Sequence, residues 1–226
     1  MNPIVLIAMY GRKPLVQINL ELLHKQKCKV IVITSSDSDY HFVRDLDFDN
    51  VRICTAPNQP LGKKWQIGVD FCRAAQADPL IILGSDDFLS SDFISKACEL
   101  KEDFTFFTEW YIHDSIKKKD YKLKYRKVFP LGSGRVFSKS FLDRHDWKIF
   151  DDTRSRLLDD YAWQNIKGHD KTLVNPQGMK LLAVKGRWET MNDLDRILTA
   201  DSIQWQPETK ISDELGYNVH QIFQGV

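Results

Sequence analysis

Two spacings of apolar residues alternate over the first hundred positions. Pro3 to Met9 is a continuous apolar run, the pattern of a strand covered on both faces. Leu15 to Gln26 follows with apolar residues at 15, 16, 18, 20, 22 and 23, a stripe at helical spacing. Lys29 to Thr34 and the shorter Val51 to Ala56 read as strands, and Trp65 to Ala77 reads as a helix. Pro79 to Gly84 reads as a fourth strand and Phe93 to Leu100 as another helix. Such strand–helix–strand repeats predict a parallel sheet with right-handed crossovers and helices on both faces. The pattern then loosens. Phe104 to Ile112 and Tyr121 to Phe129 read as two strands, 138–166 as helix in two pieces, and Lys180 to Lys185 as a strand. Weak helical patterns follow at 192–200 and 211–223. The expectation is a single α/β domain over 1–226 with a mainly parallel central sheet flanked by helices. Its first half, 1–100, is regular and its second, 101–226, is not.

Composition narrows this reading. With 226 residues, 42% hydrophobic and 28% charged, the chain is globular in type. Lys+Arg at 32 against Asp+Glu at 31 leaves a net charge of +1, which argues against nucleic-acid binding by bulk charge but leaves room for a local basic patch. No apolar run approaches the roughly 20 residues of a membrane span. Residues 1–9 lack the basic start of a signal peptide, so a cytoplasmic protein is expected. Cys28, Cys54, Cys72 and Cys98 are too scattered for a zinc or redox pair and read as buried, reduced thiols. The histidines at 24, 41, 113, 145, 169 and 220 show no ligand spacing.

Candidate chemistry gathers after the strands. Asp86 and Asp87 follow the fourth strand in Leu83-Gly84-Ser85-Asp86-Asp87-Phe88. Ligands of open α/β sheets collect beyond the carboxyl ends of strands. Adjacent like charges there call for a cation, and a hard divalent ion, Mn²⁺ or Mg²⁺, shared with substrate phosphates meets that need. The bland alternative is a cap on the next helix. Gly62, Lys63 and Lys64 stand at a helix start, where amides and an ammonium suit a diphosphate, though without Walker spacing. A solvated lysine pair is the alternative. Ser35 and Asp37, after the second strand, are placed to contact a base or ribose, or form a plain polar turn. Lys117 to Lys127 holds seven basic residues in eleven, with Lys122, Lys124 and Arg126 on one strand face and Tyr121, Leu123 and Tyr125 on the other. This reads as a solvated edge strand whose charges block aggregation, or as a basic surface for a polyanionic acceptor such as DNA.

The order of these segments resembles a GT-A fold glycosyltransferase of the inverting family 2 type, over roughly residues 3–190. Met9-Tyr10-Gly11-Arg12 is similar to the family's first loop, which ends in a basic residue, and Gly62-Lys63-Lys64-Trp65 to its glycine-containing helix start. Ile81-Ile82-Leu83-Gly84-Ser85-Asp86-Asp87 resembles an Asp-Ala-Asp-Asp motif, with Gly84 in place of the first Asp. Leu131-Gly132-Ser133-Gly134-Arg135-Val136-Phe137-Ser138 resembles the acceptor-side glycine segment, and Leu157-Leu158-Asp159-Asp160-Tyr161-Ala162-Trp163 the Glu-Asp motif with a following Trp. The resemblance implies a Rossmann-like GT-A domain in which 1–100 binds a nucleotide diphosphate sugar and 101–226 forms the acceptor side and tail. It implies metal binding at Asp86 with Asp87 beside it, and donor contacts from Arg12, Ser85 and Lys185. Gly134, Arg135 and Trp163 take acceptor-side places, and Asp160 is the general base with Asp159 replacing the Glu. Glu189, Asn192 and the tail residue His220 are candidates to complete a metal shell.

The expected activity is metal-dependent, inverting transfer of a sugar from a nucleotide diphosphate to an acceptor hydroxyl. A metal at Asp86 stabilises the leaving diphosphate, Lys63 or Lys64 adds charge, and Asp160 takes the hydroxyl proton, its proton affinity raised by Asp159. The acceptor classes in view are a soluble sugar, a protein or a modified nucleic-acid base. A nucleotidyltransferase of similar fold is one rival, for which Tyr10-Gly11-Arg12-Lys13 is a faint phosphate loop. A non-catalytic nucleotide-sugar or nucleic-acid binding module is the other.

Overall fold

The computed structural model describes residues 1–156, 158–159, 164, 171–186 and 194–224. The four apolar runs become β1 (Ile4–Ala8), β2 (Lys29–Thr34), β3 (Val51–Thr55) and β4 (Leu80–Gly84), joined by α1 (Lys13–Lys25), α2 (Asp37–Asp45) and α3 (Leu61–Ala74). All pair in parallel, with β1 between β4 and β2 and β3 outside β2. The nearly complete burial of β1, β2 and β4 explains their unbroken apolar pattern, while β3, at the sheet edge, buries only Cys54 fully. α2 has no comparable apolar stripe. Its start is set by Ser36, which accepts a hydrogen bond from the Asp39 amide, and by the acidic Asp37 and Asp39 in its first turn.

After β4 the chain builds a second sheet. β5 (Asp87–Leu89) leads to α4 (Phe93–Glu99), and the run at 104–112 breaks into β6 (Phe104–Phe106) and β7 (Glu109–Asp114), which join different sheets. β8 (Lys119–Tyr125), β9 (Arg135–Phe137), α5 (Lys139–Arg144), β10 (Thr172–Val174) and β11 (Leu181–Lys185) follow. The described chain closes with α6 (Leu194–Leu198), β12 (Ile203–Pro207), α7 (Ile211–Leu215) and α8 (Val219–Ile222). The seven-stranded sheet has the order β10-β6-β9-β4-β1-β2-β3, with β9 antiparallel to both neighbours, and the five-stranded sheet has the order β12-β8-β7-β11-β5. The fold is thus a single α/β domain with a mixed, mostly parallel central sheet and flanking helices. β8 is not the expected edge strand, because β12 pairs with it from Tyr121 to Tyr125.

Alternation along β11 separates two environments. Leu181, Ala183 and Lys185 face a cleft at the strand ends of the first sheet. Leu182 and Val184 face a core formed with Phe88, Tyr111, Leu15, α7, α8 and Phe223. Cys28, Cys54 and Cys72 are buried free thiols, and Cys98 is partly exposed. Burial pushes Cys28 up to about 12 and Cys54 up to about 11, which keeps them unreactive. No helix among the described residues is long and apolar enough to cross a membrane.

Candidate functional site

The chain leaves β3 for β4 on the other side of β1, so β1 and β4 flank a switch point where their following loops diverge and open a crevice. Arg12 ends the loop after β1 in a left-handed conformation, φ 54°, directly before α1. Its guanidinium donates to Ser85 Oγ at 3.1 Å and to Asp86 Oδ1 at 2.9 Å, both in the loop after β4. Lys185, at the end of β11, donates to the other Asp86 oxygen at 2.5 Å. Burial pulls the Asp86 carboxyl upward, but the Lys185 and Arg12 charges together outweigh it and hold the group below the usual carboxylate range.

Asp87 has the opposite fate. Burial first, and the Asp86 charge second, push its carboxyl up to about 6. Its side chain folds back over Gly84, filling the place a β-carbon at 84 would take. Ser133 accepts the Gly84 N–H at 2.9 Å and hydrogen-bonds Asp87. Glycine at 84, where the resemblance expects an acid, is therefore what lets Asp87 sit there.

These groups line one cleft of about 1350 Å³. On its floor the buried Lys64 Nζ donates to the Met9 carbonyl at 2.6 Å and to Asn58 Oδ1 at 3.2 Å. Burial lowers its ammonium to about 8. The exposed Tyr10 ring lies with its centroid 5.8 Å from the same Nζ. Asp39 accepts the Gly11 N–H at 3.1 Å, and Lys13 donates to Ser38 Oγ at 2.7 Å, which ties the first turn of α2 to the loop after β1. Trp110, Tyr125, Arg196 and Asp159 complete the opposite wall. Asp159 pairs with the buried Arg135 at 3.2 Å, and Arg135 Nε is anchored on the Leu131 carbonyl at 2.7 Å.

The structure thus brings Arg12, Ser85, Asp86, Asp87, Lys185, Lys64 and Asp159 to one cleft. Lys63 is exposed and does not line it. Gly62 is no phosphate cradle: its N–H donates to the Arg154 carbonyl at 2.7 Å, and the Asp151 carbonyl packs against its Cα. Ser35 and Asp37 do not line the cleft, and Ser36, Ser38 and Asp39 stand there instead. Gly134 packs on Phe107 and Arg135 lies beneath the wall. Asp160, Trp163, Glu189 and Asn192 lie outside the described residues. His220 pairs with Asp120, and neither lines the cleft. Of the basic segment only Tyr125 lines the cleft; Lys122 and Lys124 pair with Glu109 at 3.8 and 2.9 Å on the opposite sheet face. Sequence reading missed Asp39, Ser133, Tyr10 and Trp110. The capped helix start at Ser36 was the one signal for the first of these.

The divalent ion expected at Asp86 and Asp87 does not fit this donor set. Both Asp86 oxygens are already taken by basic side chains, so an ion there would have to displace Lys185 or Arg12. The charge that an adjacent carboxylate pair demands is supplied by side chains.

No protein-family model matches the chain, and no curated protein matches it in sequence. Solved structures do resemble it. S. aureus TarS matches with a TM-score of 0.59 at 15% identity over 82% of this chain, and its 1–349 fragment with 0.56 at 14% over 81%. The chain spans 37% of the former structure and 60% of the latter. A protein from Desulfovibrio desulfuricans G20, classed as a nucleotide-diphospho-sugar transferase, matches with 0.50 at 10% identity, covering 83% of this chain and 84% of that one. HddC from Yersinia pseudotuberculosis matches with 0.50 at 14%, covering 81% and 93%. At these identities the likeness shows the fold alone, which is GT-A-like.

Proposed function

We propose that the chain is a glycosyltransferase that takes its sugar from a nucleotide diphosphate donor. One observation carries this reading: Arg12 and Lys185 converge on Asp86 at the switch point, with Lys64 on the same cleft floor. Three cations at the carboxyl ends of parallel strands suit a diphosphate. In the ligand-free cleft Asp86 holds two of them in place. The donor's phosphate oxygens take over those bonds, and the same cations then balance the charge that grows on the leaving diphosphate. This role needs no divalent ion.

On the acceptor side, Asp159 is pinned by Arg135 and thereby marks the wall from which a hydroxyl is presented. The general base is assigned to the neighbouring Asp160, which would take the proton of the attacking hydroxyl in a single inverting displacement. Trp110 and Tyr125, with ring centroids 5.0 Å apart, give that wall an aromatic surface suited to a sugar acceptor. The basic face of β8 turns away from the cleft and does not favour DNA.

The test is a panel of nucleotide sugars scored by thermal stabilisation and donor hydrolysis, each with Mg²⁺, with Mn²⁺ and with EDTA. Stabilisation by at least one donor in EDTA is expected, lost in Lys185→Ala. Asp160→Asn should keep donor binding and lose transfer. Release of pyrophosphate from a nucleoside triphosphate, with no sugar turnover, would replace this reading with a nucleotidyltransferase.

A further inference from the structure

A second polar cluster lies across the five-stranded sheet from the cleft. His113 and Asp120 are direct cross-strand partners of β7 and β8. His113 Nδ1 lies 2.7 Å from Asp120 Oδ1. His220, on α8, brings Nε2 to 2.9 Å from Asp120 Oδ2. One ligand atom from each of the three falls within 4.8 Å of the other two. None of them lines the cleft, so the cluster is independent of the function proposed above.

The Asp120 side chain is 4% exposed, and a buried carboxylate is costly without a cation. Its side-chain partners among the described residues are two imidazoles, with no lysine or arginine. His113 is fully buried beside the Phe223 ring, and among the described residues its Nε2 has no hydrogen-bond partner, so the ring's polar engagement there is at this cluster. His220 is the half-exposed member, at 51%, and leaves a path from solvent.

We infer that His113, Asp120 and His220 form a zinc-class metal site that clips α8 onto the β7–β8 hairpin. Two imidazoles and one carboxylate, with room for a fourth ligand from solvent, are the donor set of a borderline divalent ion such as Zn²⁺, and not of Mg²⁺ or Ca²⁺, which take oxygen. Bonds of about 2.0–2.1 Å in a tetrahedral site separate ligand atoms by about 3.3 Å. The two present contacts therefore need to open by roughly half an ångström on metal entry, which a half-exposed His220 on a surface helix permits. The metal would supply positive charge beside the buried Asp120 carboxylate. It would also tie residue 220 to residues 113 and 120, fixing the tail whose Val219 and Phe223 complete the core around Phe88.

The experiment uses the full chain, stripped with EDTA and dialysed. Zn²⁺ is titrated against a chromophoric chelator, with a parallel melt and a Co²⁺ absorption spectrum. The expected result is one equivalent of Zn²⁺, a raised melting temperature and a tetrahedral Co²⁺ spectrum. His220→Ala, at an exposed position, should keep the fold and weaken binding by at least about tenfold. Asp120→Asn should lose the Co²⁺ spectrum, and circular dichroism would report whether it folds. Failure of Zn²⁺ to bind at one equivalent, or binding in His220→Ala within tenfold of the native chain, overturns the assignment.

Discussion

Asp86→Asn should destabilise the ligand-free protein and, at the same time, make it respond more strongly to pyrophosphate. The carboxylate holds two cations whose side chains are 17% (Arg12) and 9% (Lys185) exposed. Removing one partner from a buried ion pair costs about 3–5 kcal/mol, and the open side of the cleft puts this case near 3. At about 2–4 °C per kcal/mol for a chain of this size, the melting temperature should fall by about 6–12 °C. In the native protein a diphosphate must displace the Asp86 carboxylate from both cations, whereas in the variant that competing anion is gone. Pyrophosphate should therefore raise the melting temperature of the variant by more than that of the native protein. The pH dependence follows from the depressed carboxyl. Its stabilisation is present above the unfolded value of 3.8 and disappears as pH falls through the lower folded value, so the two proteins should converge in acid. A loss below about 1 kcal/mol at pH 7, or equal pyrophosphate responses, would refute the reasoning.

The neighbouring residue gives the opposite sign. Asp87 is raised from 3.8 to about 6, so the folded state holds an extra proton between those values and loses stability as pH rises through them. Asp87→Asn should recover up to about 3 kcal/mol above pH 6 and flatten the pH profile of urea unfolding between pH 4 and 6. Lys64, lowered to about 8, should lose its proton above that pH, so donor affinity should drop there by calorimetry, and Lys64→Met should remove the step. Gly62→Ala would drive a β-carbon into the backbone carbonyl of Asp151, and a loss of about 1–3 kcal/mol or more is expected in thermal melts.

The regular half of the fold was legible because β1, β2 and β4 are buried on both faces and write nearly unbroken apolar runs. α2 was missed because its start is a capping event at Ser36 and not a stripe. β5 and β12 were missed for a related reason. β5 is three residues long, and four of the five β12 residues are exposed, so burial leaves little pattern on either. At the site, Asp86 was found by its position after a strand, Lys64 by its place at a helix start and Lys185 through the family resemblance. Their pairing was not, because the contact between 86 and 185 spans 99 residues and depends on β11 running beside β5. Gly62 and Lys63 misled for a local reason. A glycine and a lysine at a helix start look alike whether the helix points at a ligand or, as here, at the 151–154 backbone. The histidines gave no spacing signal, since 113 and 220 meet only through the docked tail.

Three carboxylates of this fold meet one requirement in different ways, and the difference predicts what each can exchange. Asp86 is balanced by Arg12 and Lys185, Asp159 by Arg135, and Asp120 by two imidazoles. Arg12 and Lys185 both donate to Asp86, so the partner that can be replaced there is the anion. A diphosphate offers the same cations more oxygens and more charge. On the proposed reading, Asp86 is an internal stand-in that keeps Arg12 and Lys185 in place for the donor. At Asp159 the arginine is buried and anchored on backbone carbonyls, so the pair stays fixed and serves as a wall. At Asp120 the partners are imidazoles, which are metal ligands in their own right, so what can enter is a positive ion. One chain thus presents an anion-exchanging carboxylate on one sheet face and a cation-accepting carboxylate on the other. Pyrophosphate and Zn²⁺ should therefore stabilise the protein independently, with Asp86→Asn leaving the zinc response intact and His220→Ala leaving the pyrophosphate response intact.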